Sequence, residues 1–482
     1  MIIRRIPCLS RFFAGWQLKN NKYKHMKKYM ILLATLALFS CKKQDKWLDV
    51  KSNKADIVPV TLADFQALMD NDAVMNANYP GLGLLASDNY FLTYAFWQSL
   101  QPRERNAFLW KPDIYEGDRC PDWEYEYKRI EYANIALEGI NKVKVDGADK
   151  PIFDQIKGSA LFYRAYSFYN LLQLFSVPYD PSTASTALGI PLRLNADVND
   201  KSTRASVAQC YDRVIQDLLA AKDLLPSSSA TMLRPSKTVT LALLARVSLT
   251  MKTYDKAAGY ASDALNQQNG LIDFNTLNLN ASVMLPPFIP GNPEVIFYAT
   301  SISYYTLSRL NMKIDTLLYR SYDKDDLRRI VFYKDNGSNG ISFRGDYTGK
   351  TLPSKFAGIA TNELYLIRAE SYARLNKPAE ALAGLNHLLQ SRWKTGTYVP
   401  KSGTDANEIL ANIIQERRKE LPFSGNLPWE DLRRLNQEPN FAKTLTRMLN
   451  GETFSLPPGD NRYVYPIPEN EISLSGIQQN PR

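Results

Sequence analysis

Residues 241–265, LALLARVSLTMKTYDKAAGYASDAL, and residues 365–389, YLIRAESYARLNKPAEALAGLNHLL, are two versions of one pattern. At an offset of 124 positions Leu243 falls on Ile367, Ala245 on Ala369, Ala257 on Ala381 and Leu265 on Leu389. In each, apolar residues recur every three to four positions on both sides of a short polar break, Lys252-Thr253-Tyr254 or Leu375-Asn376-Lys377. That is the pattern of two helices folded back on one another. Pro378 stands in the first turn of the returning helix, where its missing N–H costs nothing. The alanines let the helices approach closely, as in tetratricopeptide-type repeats. A lone pair cannot bury its apolar faces, so such pairs stack.

Further helices extend the scaffold on the N-terminal side. Glu124 to Val143 places Ile130, Ala133, Ala136, Leu137 and Ile140 mainly along one face, and Gln155 to Phe175 is apolar nearly all round, which predicts burial between other helices. Ser206-Val-Ala-Gln209 has capping-box spacing and opens a helix to about Leu225, stopped by Pro226. The expected fold is mostly α, a tetratricopeptide-like helix-pair scaffold at about 124–270 and 359–420 within a single domain, 61–482, with a few short strands. Long loop-rich insertions interrupt it at about 71–122 and 271–358, the second with strand-like runs at Glu294 to Thr300, Ile330 to Tyr333 and Ile341 to Phe343. Loops of that length in a compact protein are usually functional.

The N-terminus is of another kind. Lys27-Lys28 precedes the apolar run Tyr29 to Ser40, about 18 Å of helix, short of the ~20 residues a bilayer core requires. The run closes on Leu38-Phe39-Ser40-Cys41, which resembles a bacterial lipobox. Residues 1–40 therefore read as a signal peptide, with Met26 opening one of ordinary length. Cys41 is the expected site of lipidation, and 41–60 the tether of an outer-membrane lipoprotein facing the cell surface. In that compartment disulfides persist. Cys120 and Cys210 are read as two free thiols in packed sites.

Composition removes several functions. Of 482 residues 45% are hydrophobic and 22% charged, which supports a large core and excludes disorder. The net charge of +10 comes mostly from the leader: residues 1–40 hold eight Lys/Arg and no acid, leaving 51 basic against 49 acidic residues. A near-neutral body lacks the counterion-release affinity that nucleic-acid binding needs. His25 and His387 are the only histidines, too few for a multi-histidine metal site, and a Ser-His-Asp triad would depend on His387 alone. No phosphate-cradling glycine loop and no G-x-S-x-G occurs, Gly81-Leu82-Gly83 reading as a turn, and no cofactor is expected. The acid pairs Asp325-Asp326 and Glu430-Asp431 read as solvated surface, His387 as a scaffold histidine, and Glu416-Arg417-Arg418-Lys419-Glu420 as a source of ion pairs.

What remains is aromatic. Tyr94-x-Phe96-Trp97 lies in a loop-like stretch of the first insertion and Tyr304-Tyr305 in the second. Rings exposed on loops stack on the apolar faces of sugars. Tyr94, Trp97 and Tyr304 are the candidate ligand-binding residues; Trp123 and Trp429, beside helical segments, are assigned to packing.

Several strings, in order behind a lipobox, resemble the SusD/RagB family of outer-membrane nutrient-binding lipoproteins. They include Trp47-Leu48-Asp49-Val50-Lys51, Tyr132-Ala133-Asn134, Lys157-Gly158-x-Ala160-Leu161-Phe162-x-Arg164-Ala165 and Leu188-Gly189-Ile190-Pro191. Glu363-Leu364-Tyr365-Leu366-Ile367-Arg368-Ala369-Glu370, Glu416 to Leu421 and Pro466-Ile467-Pro468 continue the series. One departure is Phe423-Ser-Gly-Asn-Leu-Pro-Trp429, one residue longer than the family pattern, with Pro428 where an arginine usually stands. The resemblance implies about four helix pairs and a non-catalytic protein that binds oligosaccharides, or in some members peptides. It also implies a SusC-like TonB-dependent outer-membrane transporter as partner. The residues alone leave open two other readings, a lipid-anchored glycoside hydrolase and a helical-repeat envelope scaffold.

Overall fold

The computed structural model describes residues 59–197, 199–201, 203–287 and 291–482; the signal run, Cys41 and the tether up to residue 58 lie outside them. Val60–Arg482 forms one compact unit. Its scaffold consists of α1 (Pro121–Ile140), α2 (Lys150–Phe175), α3 (Val207–Leu224), α4 (Lys237–Thr250), α5 (Tyr254–Gln267), α6 (Thr361–Arg374), α7 (Pro378–Gln390) and α8 (Ala406–Glu420). Each of α1 to α7 packs against the next, and α8 returns onto α6. The α2 side chains from Gly158 to Phe175 are all buried, as an all-round apolar helix must be when flanked by α1 and α3. The capping box predicted for α3 is present: Ser206 Oγ accepts from the Gln209 amide at 3.2 Å, and Gln209 Oε1 accepts from the Ser206 amide at 2.9 Å.

The repeat read at an offset of 124 holds at atomic detail. Ala245, Ala257, Ala369 and Ala381 are fully buried where their helices cross. The turns superpose in kind. Lys252 and Asn376, 124 apart, both take the left-handed conformation, with φ of 61° and 57°. The amide one residue on bonds back to the same relative carbonyl, Thr253 to Ser248 at 2.9 Å and Lys377 to Tyr372 at 2.8 Å. Both turns thus satisfy the otherwise orphaned carbonyls at a helix C-terminus in the same way.

The insertions are more structured than expected. The first contains the short helices Asp72–Met75, Leu82–Ala86, Tyr94–Gln98 and Pro102–Phe108. Gly81 is therefore the residue preceding a helix, and Tyr94 and Trp97 stand on a helical turn, not a loop. In the second, Val295–Phe297 pairs antiparallel with Ile359–Ala360 at the entrance to α6, and Tyr333–Asp335 pairs with Ile341–Phe343. The strand expected from Ile330 begins only at Tyr333, because Arg328–Val331 is a helical turn. Asp326 Oδ1 accepts the Arg328 amide at 3.1 Å and so fixes that turn.

A buried ionic cluster anchors this insertion to the scaffold. Arg328 is fully buried and bonds Asp326 at 2.7 Å, Glu416 at 2.6 Å and Glu420 at 3.2 Å. Arg392, equally buried, joins Glu420 at 2.8 Å to Glu294 at 2.7 Å. The mixed-charge string on α8 is accordingly an ion-pair string, as read, with Arg417 on Asp431 at 2.8 Å. The acid pairs are another matter. Asp326 and Glu430 are buried, contrary to the solvated reading, Asp326 by Arg328 and Glu430 by the Tyr169 hydroxyl at 2.7 Å.

Candidate functional site

The five-residue helix Tyr94–Gln98 begins at Thr93, whose hydroxyl accepts from the Phe96 amide at 3.4 Å. One turn apart, Tyr94 and Trp97 stack with ring centroids 5.8 Å apart and planes 17° from parallel. The Trp97 indole N–H donates to the Arg105 carbonyl at 3.2 Å, which pins the ring to the helix Pro102–Phe108. The Arg105 guanidinium lies 5.8 Å from the Trp97 ring centre. Tyr94 is exposed and Trp97 half-buried, a disposition that leaves ring surface to solvent.

The second insertion supplies the adjoining wall. Phe96 meets Tyr305 edge-on, with centroids 5.3 Å apart, and Tyr305 is 54% exposed. Phe91, two residues before the Thr93 cap, is also exposed. It pairs in register with Lys313, so the chain that leaves at Tyr305 returns alongside the first insertion. Glu104 ties the two walls together: its Oε2 accepts the Thr306 amide at 2.7 Å and the Thr306 hydroxyl at 2.6 Å, all of it buried. The Tyr94–Trp97 stack and the Phe96–Tyr305 edge contact, on one five-residue helix and the turn beside it, thus make an aromatic platform drawn from chain segments some two hundred positions apart.

Tyr304 does not belong to it. Its ring is only 2% exposed and its hydroxyl donates to Asp122 Oδ2. The other Asp122 oxygen accepts the Gly81 and Leu82 amides at 2.7 and 2.9 Å. Burial raises the Asp122 carboxyl above its ordinary range, against the hydrogen bonds from Tyr304, Leu82 and Gly81. Burial also pushes the Tyr304 phenol well up. A Cβ on Gly81 would sit 3.0 Å from the Tyr304 ring, so any larger residue there would have to push the ring aside by a few tenths of an ångström. The stacking role proposed for Tyr304 is therefore corrected. This ring is a structural strut, and its neighbour Tyr305 is the one that faces out.

The remaining candidates are structural. Trp123 and Trp429 are buried, packed against Phe175 and Tyr463 respectively. Cys120 and Cys210 are free, buried thiols. His387 stands on an exposed face of α7 with its ring 5.1 Å from that of Tyr365. Among the described residues no group of His, Cys, Asp and Glu is arranged to hold a metal ion, and no helix is long and apolar enough to cross a membrane.

A concavity of about 760 Å³ runs along α1 past Tyr125, Lys128, Glu131, Arg193 and Glu471. Charges of both signs line it, and Arg103 and Arg119 at its rim are already paired with Asp118 and Glu124. Of its rings Tyr125 is exposed, and Trp123 and Tyr127 meet at 4.7 Å in a tilted contact with Trp123 buried.

The residues missed from sequence are Glu104, Thr306 and the outward choice of Tyr305 over Tyr304. Only the adjacency of the two tyrosines signalled any of this.

Comparison with known proteins agrees with this architecture. A family model described as "Starch-binding associating with outer membrane" matches residues 46–249, and one described as "SusD family" matches 359–482. The SusD-like protein P2 of Formosa agariphila is 24% identical over 481 residues, covering 85% of this chain and 91% of that protein. A SusD superfamily protein from Bacteroides thetaiotaomicron superposes with a TM-score of 0.72 at 22% identity, over 88% of this chain and all of that one. A SusD-like carbohydrate binding protein from Bacteroides vulgatus does so with a TM-score of 0.65 at 19% identity, over 86% and 97% of the two chains. With both ends of the scaffold matched in sequence and its whole course matched in fold, the chain belongs to the SusD/RagB family.

Proposed function

We propose that this protein is a non-catalytic, lipid-anchored outer-membrane protein that binds oligosaccharides on the Tyr94–Trp97–Tyr305 platform and delivers them to a SusC-like TonB-dependent transporter. The observation that carries this reading is the platform itself. Rings from two insertions meet in the Phe96–Tyr305 edge contact and are held by the buried Glu104–Thr306 hydrogen bonds. Such a surface offers flat apolar faces and free phenolic hydroxyls to a sugar, and it is already organised before the ligand arrives, which limits the entropy lost on binding. The description of the matching family model and the carbohydrate-binding relative of the same fold support the ligand class.

The carboxylates that might have suggested hydrolysis are committed elsewhere. Glu104 holds Thr306, Asp326 holds Arg328 and Glu430 accepts from Tyr169. Anchoring through Cys41 follows from the lipobox-like run and from a hydrophobic segment too short to span; two acyl chains give stable attachment.

The test is calorimetry of detergent-extracted protein against a broad panel of oligosaccharides, with the products analysed after long incubation. Intact sugar retained with micromolar to millimolar affinity supports the reading. Shortened products that disappear on replacing one acidic residue would replace it with an enzyme. Cys41→Ala should move the protein to the soluble fraction, and wild-type protein that extracts without detergent would contradict the anchor.

A further inference from the structure

Two lysines are buried among the described residues, and they are satisfied in different ways. Lys419 is paired with Asp326 and Glu416, each at 3.1 Å. Lys355 forms no ion pair among the described residues; its Nζ donates to three backbone carbonyls, Leu307 at 3.0 Å, Leu352 at 3.1 Å and Pro353 at 3.2 Å. The neighbouring buried acid, Asp346, accepts the Thr348 and Phe356 amides instead, at 2.7 and 3.4 Å.

The Leu307 carbonyl ends the helical turn Tyr305–Leu307, from which Tyr305 meets Phe96 while Tyr304, just before it, reaches in to Asp122. The start of the same stretch is held by the Lys355 backbone: its amide donates to Ser301 Oγ at 2.9 Å, and its carbonyl accepts the Ser301 amide at 2.8 Å. One residue thus grips the stretch at position 301 and again at position 307. Glu104 takes the Thr306 amide and hydroxyl between those points. Inside the turn the Leu307 amide donates to the Tyr304 carbonyl at 3.0 Å, so a shift of Leu307 moves the backbone from which both tyrosines project.

Burying an ammonium without a counter-charge costs stability, and a methionine would fill the same space without that cost. What the lysine adds is a set of directed donors. Leu352 and Pro353 belong to its own stretch of chain, but Leu307 is 48 positions away, in the turn that carries the platform ring. We propose that Lys355 is a positioning residue for ligand binding: through its ammonium on Leu307 and its backbone on Ser301 it keeps Tyr305 on the platform, and it makes no contact with the ligand itself. This rests on the oligosaccharide-binding reading above and adds the group that sets the geometry of the Tyr305 wall.

The experiment compares detergent-extracted full-length protein with its Lys355→Met variant in two measurements. Hydrogen exchange read by mass spectrometry follows the turn without any ligand: amides of residues 301–308 should exchange about tenfold faster in the variant, beyond any change in α2. Calorimetry uses whichever of maltoheptaose, cellohexaose, xylohexaose and mannohexaose binds the parent most tightly. Affinity for that probe should fall about tenfold, as for loss of a platform ring. Because Lys355 acts through Tyr305, Tyr305→Ala/Lys355→Met should bind no more weakly than Tyr305→Ala. A lysine that only stabilises the fold would lower the melting temperature and leave the affinity alone, and one that touches the ligand would weaken the double variant further. Either result overturns the proposal, as does unchanged exchange in residues 301–308. Should Lys355→Met fail to fold, Ser301→Ala removes the acceptor of the Lys355 amide and should move the same readouts in the same direction by less; no movement there overturns the proposal equally. If a probe binds and only these effects are missing, the positioning role falls and the oligosaccharide reading stands; if no probe binds the parent, both fall.

Discussion

Glu104 and Thr306, 202 positions apart in the chain, share one buried contact in which a single carboxylate oxygen accepts both the amide and the hydroxyl of the threonine. Through it the helix that pins Trp97 is joined to the turn that presents Tyr305. Glu104→Ala leaves the buried Thr306 amide without a partner, at a cost of ~1–3 kcal/mol. It should lower both the melting temperature and the affinity for oligosaccharide. Glu104→Gln, which keeps an acceptor in place, should preserve most of the binding. Affinity unaltered in the alanine variant would show that the contact holds the fold and not the platform.

Adjacent tyrosines should separate binding from stability. Tyr305→Ala and Trp97→Ala remove exposed-side rings from the platform and should each weaken glycan binding by about tenfold or more, with small changes in melting temperature. Tyr304→Phe removes the donor to buried Asp122 and should lower stability by ~1–3 kcal/mol while leaving affinity alone. Calorimetry and melting curves on the same samples decide. Loss of affinity in Tyr304→Phe with Tyr305→Ala silent would reverse the assignment.

The contrast between these neighbours shows where sequence reasoning succeeds. Ala245, Ala257, Ala369 and Ala381, and the turn shared by Lys252 and Asn376, are written in local periodicity, so the scaffold is legible without coordinates. Tyr304 and Tyr305 differ by one position in an irregular turn, where no period says which ring points inward. The burial of Asp326 depends on Arg328 and on an α8 that arrives 90 residues later, so its neighbour Asp325 gave no warning. Polar contacts at such separations, Glu104 on Thr306 and Glu416 on Arg328 alike, have no short-range signature, and they decide how the insertions are joined to each other and to the scaffold.

Arg392 is the keystone of the buried cluster between the second insertion and the scaffold. Its replacement by methionine leaves buried Glu294 without an ion-pair partner among the described residues and Glu420 with Arg328 alone. Breaking such a pair typically costs ~3–5 kcal/mol. Urea unfolding of Arg392→Met should show a correspondingly lower midpoint. A variant as stable as the parent would mean that the two carboxyls take up protons or water at little cost.

The last prediction concerns acid. Glu370 on α6 is fully buried, with Arg434 at 2.5 Å and Arg374 at 2.9 Å. Burial alone would raise its carboxyl, but the two guanidiniums outweigh it and hold the group down at about 2, against an ordinary 4.5. A carboxyl depressed in the folded state contributes stability above its unfolded value and loses it as pH falls toward the folded one. Here that window runs from about pH 5 to about pH 2, and the difference between the two values corresponds to ~3 kcal/mol. Glu370→Gln cannot titrate and leaves both arginines short of a counter-charge, so it should be much less stable than the parent at pH 7. Because the parent alone loses this contribution on acidification, the gap between them should close as pH drops through the window, whatever the other carboxyls do in both proteins. Urea unfolding of the pair at intervals from pH 7 to pH 2 measures it. A gap that stays constant over that range would show that Glu370 is not held as an anion by Arg434 and Arg374, and that the loss in the variant is one of packing.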